Sequence, residues 1–237
     1  MFRLRIIASG SKANATLVEH DGHRVLVDCG LSCKALSQSV DLKTLDAVLI
    51  THSHSDHIKG LSVLKKNISA PVYSAVDIDG CQKMTDAITV GGMDIEAFEC
   101  SHDVPCVGYK ITAQGKSVAI ATDTGVVTDS MLKALSGCDT VMLECNHDPI
   151  MLRCGPYPPS LKSRVASEQG HLSNTDCAKT LTHLCTIGTK RCVLAHLSET
   201  NNMPLVARRA VADELKKYGL CDCVDVVVAQ PDTELEI

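Results

Sequence analysis

The chain of 237 residues has no tryptophan, two phenylalanines and four tyrosines. That scarcity argues against a nucleic-acid site built chiefly from stacked aromatic rings. The core must instead be assembled from Val, Ile, Leu, Ala and Cys. Positive charge is not in excess either. The chain carries 23 Lys and Arg against 28 Asp and Glu, a formal net charge of −5. A general attraction to polyanions or anionic membranes is thereby excluded, and only a local basic patch or bound metal could supply one. No run approaches the roughly 20 apolar residues that span a bilayer, so no membrane partner is expected. The segment from Met1 to Ile7 alternates charged and apolar side chains and reads as a strand. It lacks the apolar stretch and cleavage site of a secretion signal, which points to the cytoplasm. Fixed-period repeats and low-complexity linkers are also missing. Residues 1–237 are therefore expected to form a single domain.

Two residue types are abundant, with 13 cysteines and 10 histidines. The cysteine number is odd, and the one close pair, Cys221-x-Cys223, does not match a zinc-knuckle spacing. Reduced, buried thiols acting as small hydrophobes are the expectation. The histidines are not scattered in the same way.

Short apolar runs rich in β-branched residues recur along the chain and predict strands. They include Thr16–Glu19, Val25–Asp28, Ala47–Ile50, Val107–Ile111, Val118–Ala121, Val141–Glu144 and Val193–Ala195. Turn dipeptides Asp21-Gly22 and Gln114-Gly115 predict hairpins. Helical spacing appears at Ser32–Val40, Ile58–Lys66, Asp129–Leu135, Thr175–Cys185 and Pro204–Tyr218. Asn174 or Thr175 and Asp129 are candidate helix caps. A further helix is expected near Ser160, after the loop Gly155-Pro-Tyr-Pro-Pro159. The order predicts an α/β protein of two mixed sheets with outer helices.

The predicted strand Ala47–Ile50 runs into Thr51-His-Ser-His-Ser-Asp-His57. His52, His54, Asp56 and His57 thus place four metal-ligating side chains within six residues, on a loop before a helix expected near Ile58. One segment cannot complete two coordination spheres. Further ligand candidates follow predicted strands at His102, Asp123, Glu144 and His196.

The motif His52-x-His54-x-Asp56-His57 resembles the signature of the metallo-β-lactamase superfamily. Upstream, Val25-Leu-Val-Asp-Cys-Gly30 is similar to that superfamily's strand-Asp-x-Gly element. The resemblance implies an αββα sandwich, two mixed β-sheets flanked by helices, with a one- or two-metal site at one edge. It implies His52, His54 and His102 on one ion, Asp56, His57 and His196 on the other, and Asp123 bridging both. Asp28 would support the site without chelating.

A narrower resemblance is to the YycJ/WalJ branch of bacterial proteins regarded as metal-dependent exonucleases. It is carried by Gly30-Leu-Ser-Cys33, Ser101-His-Asp103, Thr122-Asp-Thr-Gly125, Glu144-Cys-Asn-His-Asp148, Gly155-Pro-Tyr-Pro158, Gly170-His-Leu-Ser-Asn174 and Leu194-Ala-His-Leu-Ser198. The branch commonly has Ser-Gly before Asn14, where this chain has Lys12-Ala13. Glu144 and His171 also resemble the proton-handling pair of the ribonuclease Z group, although His171 also suits a turn capping the next helix.

These resemblances imply a metal-dependent phosphodiesterase, a 5′–3′ exonuclease acting on DNA in preference to RNA. Two divalent ions would activate a hydroxide for in-line attack on phosphorus. Asp56 would serve at the ions, and Glu144 with His171 would protonate the leaving group. Zinc, manganese and iron all suit mixed nitrogen and oxygen ligands. Candidate substrate contacts are Asn14, His147, Lys162 and Arg164. The same fold also admits a hydrolase of thioesters or lactones, or a non-hydrolytic diiron or metal-binding protein. His54 argues against the diiron option, because redox members typically carry Glu at that place. Oligomeric state is left open by the sequence.

Overall fold

Alternation decides the layers. In strands such as Val141-Met142-Leu143, neighbouring side chains face opposite sides, so a strand covered on both faces reads as continuously apolar. The computed structural model describes residues 2–231 and 233–237. Met1, at the start of the first expected strand, lies outside the described residues.

The first sheet is built from β1 (Phe2–Ala8), β2 (Ala15–His20), β3 (His23–Val27), β4 (Ala47–Leu49), β5 (Val72–Ser74) and β6 (Gln82–Lys83). The second comprises β7 (Ile88–Val90), β8 (Met93–Cys100), β9 (Cys106–Ala113), β10 (Lys116–Ala121), β11 (Thr140–Glu144), β12 (Arg191–Ala195) and β13 (Asp225–Val228). A last strand, β14 (Leu235–Glu236), returns to the edge of the first sheet beside β1. The spatial orders are β14-β1-β2-β3-β4-β5-β6 and β13-β12-β11-β10-β9-β8-β7. Each sheet begins with antiparallel hairpins and continues in parallel, from β3 to β6 and from β10 to β13. The expected hairpin tips are present, with Asp21-Gly22 and Gln114-Gly115 at positive φ.

The helices are α1 (Cys33–Ser39), α2 (Ser55–Ile58), α3 (Leu61–Leu64), α4 (Asp129–Leu135), α5 (Pro149–Cys154), α6 (Pro159–Val165), α7 (Asn174–Thr186) and α8 (Pro204–Lys217). Leu36, Leu61 and Leu64 cover the outer face of the first sheet at Leu26, Val48 and Ile50. Leu181, Leu184, Ala207 and Val211 cover the second at Val141, Leu143 and Leu194. Between the sheets lie Ile6, Val25, Val27 and Leu49 against Ile95, Ile111, Ile120 and Met142. Tyr109 is buried there, and its hydroxyl donates to Ile50 O at 2.8 Å. This is the αββα sandwich that the sequence implied.

Three sequence expectations shift. The caps are Ser173 and Thr128, not Asn174, Thr175 or Asp129. Asn174 is instead committed to a buried amide pair with Asn202. The helix expected over Ile58–Lys66 is two short turns, α2 and α3, meeting at Gly60. Of the 13 free cysteines, seven are buried and act as core filler, whereas Cys154, Cys221 and Cys223 are exposed. Among the described residues no helix is long and apolar enough to cross a membrane.

Candidate metal centre

The strands β3, β4, β8, β10, β11 and β12 all deliver their C-terminal ends to one edge of the sandwich. Asp28, Asp123 and His196, just after β3, β10 and β12, adopt positive φ of 62°, 58° and 53°. A left-handed conformation costs a non-glycine residue roughly 1–2 kcal/mol. Its concentration at three chemically active side chains is the pattern of a functional site. The packing that holds it is visible at His196, whose N–H donates to Ser9 Oγ and whose carbonyl accepts from Asn146 Nδ2.

The helix α2 begins at Ser55, not near Ile58, so Asp56 and His57 sit in a helical turn. Backbone contacts fix that turn. Asn14 N donates to Asp56 O at 2.8 Å and Cys29 N donates to His57 O at 2.9 Å. Gly30 allows the close approach, because a Cβ there would lie 1.6 Å from Asp56 O.

Each histidine ring is anchored on its outward nitrogen. His57 Nδ1 donates to Asp28 Oδ2 at 2.7 Å. Thr51 Oγ1 gives its proton to Asp28 Oδ2 and so can accept from His52 Nδ1 at 3.0 Å. His102 Nδ1 donates to Gly170 O at 3.1 Å. His171 and His196 both donate through Nδ1 to Glu144 Oε1, at 2.8 and 2.7 Å. In His54 the ring is reversed, with Nε2 3.3 Å from Asp103 Oδ1 and Nδ1 turned inward.

In a ring that carries only the one proton used by its anchor, the inward atom is an unprotonated acceptor, and these inward atoms face one another. His54 Nδ1 lies 3.3 Å from His102 Nε2. His57 Nε2 lies 3.0 Å from Asp123 Oδ2 and 3.4 Å from Asp56 Oδ2. His52 Nε2, His196 Nε2 and Asp123 Oδ2 are buried without a hydrogen-bond donor. Acceptors converging in a dry site require a cation between them. The donors of His52, His54 and His102 lie within 4.8 Å of one another, as do those of Asp56, His57 and His196. Asp123 shares that spacing with His52 and His57, between the two groups. The residues therefore fit divalent metal binding.

The protonation energetics agree. Burial lowers His52 to about 3. At His196 burial acts in the same direction, but Asp123, Asp56 and Glu144 outweigh it and raise the ring to about 10. His57 is likewise raised, against burial, by Asp28 and Asp123. Asp123 is held well below the usual carboxylate range because His196 and His57 outweigh its burial. Without a cation, then, the cluster balances its carboxylates with protons on raised histidines, and these remain bound at neutral pH. Metal uptake must displace them, so affinity should rise with pH through neutrality. Titration calorimetry in buffers of different ionisation enthalpy should detect at least one proton released per chain at pH 7. Buffer-independent heats would contradict this.

Glu144 stands beside His171, the partner that the resemblance gave it. It is fully buried. Its Oε1 accepts from His171 and His196, and its Oε2 accepts from Thr124 N at 2.8 Å and Leu172 N at 3.2 Å. Burial would raise this carboxyl, but His171 and His196 hold it at about 2. It therefore cannot hand a proton to substrate directly. His171 can, because it lines the cleft and Glu144 raises it against the effect of burial.

The cleft has a volume of about 380 Å³ and is floored by His54, Asp56, His102, Asp123 and His196. Of the expected substrate contacts, only Arg164 lines it, and this residue is paired with Asp103 Oδ2 at 3.0 Å. Lys162 Nζ donates to Arg153 O at 2.8 Å. Asn14 is buried, with Nδ2 2.9 Å from His57 Nε2 and 3.3 Å from Asp56 Oδ2. His147 is buried too and does not line the cleft. Sequence reasoning assigned no role to Tyr157, held between Pro156 and Pro158 at the cleft wall, or to Asp103, which contacts His54 and Arg164. The adjacent prolines were the available signal for Tyr157. A larger groove of about 740 Å³ between β6 and β8 carries Asp86, Glu96 and Glu99 against Lys83, a balance unsuited to a polyanion.

The family model described as the β-lactamase superfamily domain matches residues 23–197. Exodeoxyribonuclease WalJ of Streptococcus pneumoniae is 37% identical over 257 residues, covering 98% of this chain and 96% of that protein. Exodeoxyribonuclease YycJ of Bacillus anthracis is 37% identical over 235 residues, covering 90% of this chain and 89% of that protein. The metallo-β-lactamase fold protein YhfI of Bacillus subtilis superposes with a TM-score of 0.76 at 18% identity, covering 100% of this chain and 99% of that structure, and so shares the fold. The chain belongs to the metallo-β-lactamase superfamily, in the branch that holds YycJ and WalJ.

Proposed function

We propose that the protein is a metal-dependent exonuclease that degrades DNA from the 5′ end. It holds two divalent ions, zinc, manganese or iron, through His52, His54 and His102 on one side, Asp56, His57 and His196 on the other, and Asp123 between. A cytoplasmic location goes with that substrate. The reading is supported by similarity to exodeoxyribonucleases over nearly the whole chain. The observation that carries it is the pairing of buried Glu144 with half-buried His171 beside the convergent donors, with His171 on the cleft wall.

When bound, a pair of divalent ions lowers the pKa of water and offsets charge on the phosphoryl oxygens. The protein's own residues do the rest. Asp28, Thr51, Gly170 and Glu144 fix the rings, so little reorganisation is needed on binding. His171 holds a proton on the cleft side for the leaving alkoxide, and Glu144 stabilises the ring in that state. Tyr157 offers one aromatic face to a base, while recognition otherwise rests on backbone charge, so sequence preference should be weak.

A 5′-labelled duplex and an acyl thioester, incubated in parallel with manganese, test this reading. Nucleotides should be released by wild type and not by Asp56→Ala. Thioester turnover without nucleotide release would overturn it. His171→Ala should lower kcat for nucleotide release by about 10²–10⁴-fold while metal content stays at the wild-type level. Equal kcat values would remove His171 from the proton path.

A further inference from the structure

The anchors behind five of the rings are buried or are backbone. Asp28 and Glu144 are almost inaccessible, Thr51 is 1% exposed, and the His102 anchor is the Gly170 carbonyl. The sixth differs. His54 turns Nδ1 inward and leaves Nε2 facing Asp103 Oδ1 at 3.3 Å. Asp103 stands at the cleft rim, with 31% of its side chain accessible. Its other oxygen takes a 3.0 Å contact from Arg164 Nη1 on α6, a side chain 58% accessible. The same Oδ1 lies 3.3 Å from His102 Nε2. That nitrogen has no proton to donate once Nδ1 is bonded to Gly170, so Asp103 draws its hydrogen bond from His54.

We propose that Asp103 is a positioning residue for the His52–His54–His102 ion, with Arg164 as the clamp that sets its rotamer. The inference rests on the two-ion reading above. A carboxylate behind a ligating imidazole fixes the ring and makes the inward nitrogen more basic. Here that carboxylate is wet and is tied to an exposed, entropically mobile arginine, whereas the supports of the other ion, Asp28 and Glu144, are dry and saturated with donors. The His54 side of the centre is therefore the more weakly fixed, and its ion is the one that exchanges first. Arg164 is accordingly assigned to the metal site and not to free phosphate capture.

Competition with a chromophoric chelator, using manganese or zinc alone and full-length protein, resolves two dissociation constants. Asp103→Ala should raise one of them about 10–100-fold and leave the other unchanged. Arg164→Gln should move the same constant in the same direction by a smaller factor. The melting temperature of metal-free protein should not change in either variant, because both side chains lie at the rim. Two unchanged constants in Asp103→Ala would overturn the inference while leaving the two-ion reading intact. A joint fall of both affinities with the metal-free melting temperature would also overturn it, by showing a merely structural role. Wild-type protein that takes up no ion would overturn the two-ion reading itself.

Discussion

Asp123→Asn should lower kcat/KM for manganese-supported release of nucleotides from a 5′-labelled duplex by at least about a thousandfold. Metal-ion stabilisation is worth several kcal/mol at the transition state, and each 1.36 kcal/mol is tenfold in rate. The substitution preserves volume and removes the one charge that stands between the two donor groups. Asp123 is 2% exposed, so water cannot replace the lost oxygen. Its Oδ2 faces His57 Nε2 at 3.0 Å, while Oδ1 reaches His196 Nδ1 at 3.6 Å and His102 Nε2 at 3.9 Å. An amide there presents N–H toward ring nitrogens that must accept a cation. The metal-bound stoichiometry, measured by elemental analysis, should fall with the activity. Far-ultraviolet circular dichroism should not change. Activity within tenfold of wild type would remove Asp123 from the shared position.

Gly30→Ala is expected to be the most damaging substitution outside the donor set. Its methyl group would lie 1.6 Å from Asp56 O and 2.7 Å from Asn14 N. Both are backbone atoms, so no side-chain rotation relieves the clash. Overpacking typically costs about 1–3 kcal/mol, and this geometry belongs at the upper end. For a chain of this length about 3 kcal/mol corresponds to a fall of about 6–12 °C in Tm. The turn carrying Asp56 and His57 is the element that must move, so metal affinity should fall as well. Thermal unfolding with and without chelator separates the two effects. A metal-free Tm within about 2 °C of wild type would show that the turn yields cheaply.

The legibility of this molecule in its sequence follows from how local each signal is. His52, His54, Asp56 and His57 are contiguous, and their side-chain chemistry announces them. His102, Asp123 and His196 could be read because each ends an apolar run, and the structure brings them to the same edge. The direction of a side chain is not local. Lys162 turns to the Arg153 carbonyl and Asn14 turns inward to Asp56 and His57 because of the partners the fold supplies. The saturation of Glu144 depends on Thr124, Leu172, His171 and His196, which come together only when three strands align. The start of α2 at Ser55 was hidden for a similar reason. Its geometry is held by Asn14, Cys29 and Gly30, which lie 25 to 41 positions before Ser55, and not by a cap of its own.

The allocation of the donors has a mechanical consequence. Residues through Lys83 build most of one sheet, and residues from Ile88 build the other. His52 and His54 come from the first segment and His102 from the second; Asp56 and His57 come from the first and His196 from the second. On the two-ion proposal, either ion would thus be a removable rivet through both layers. A protease nick between β6 and β7 would leave two fragments whose grip on each other strengthens when metal is supplied and loosens when it is withdrawn. Loaded, the sandwich would resist sliding or splaying along its seam. The ions that would perform the chemistry would also decide whether the two halves behave as one body.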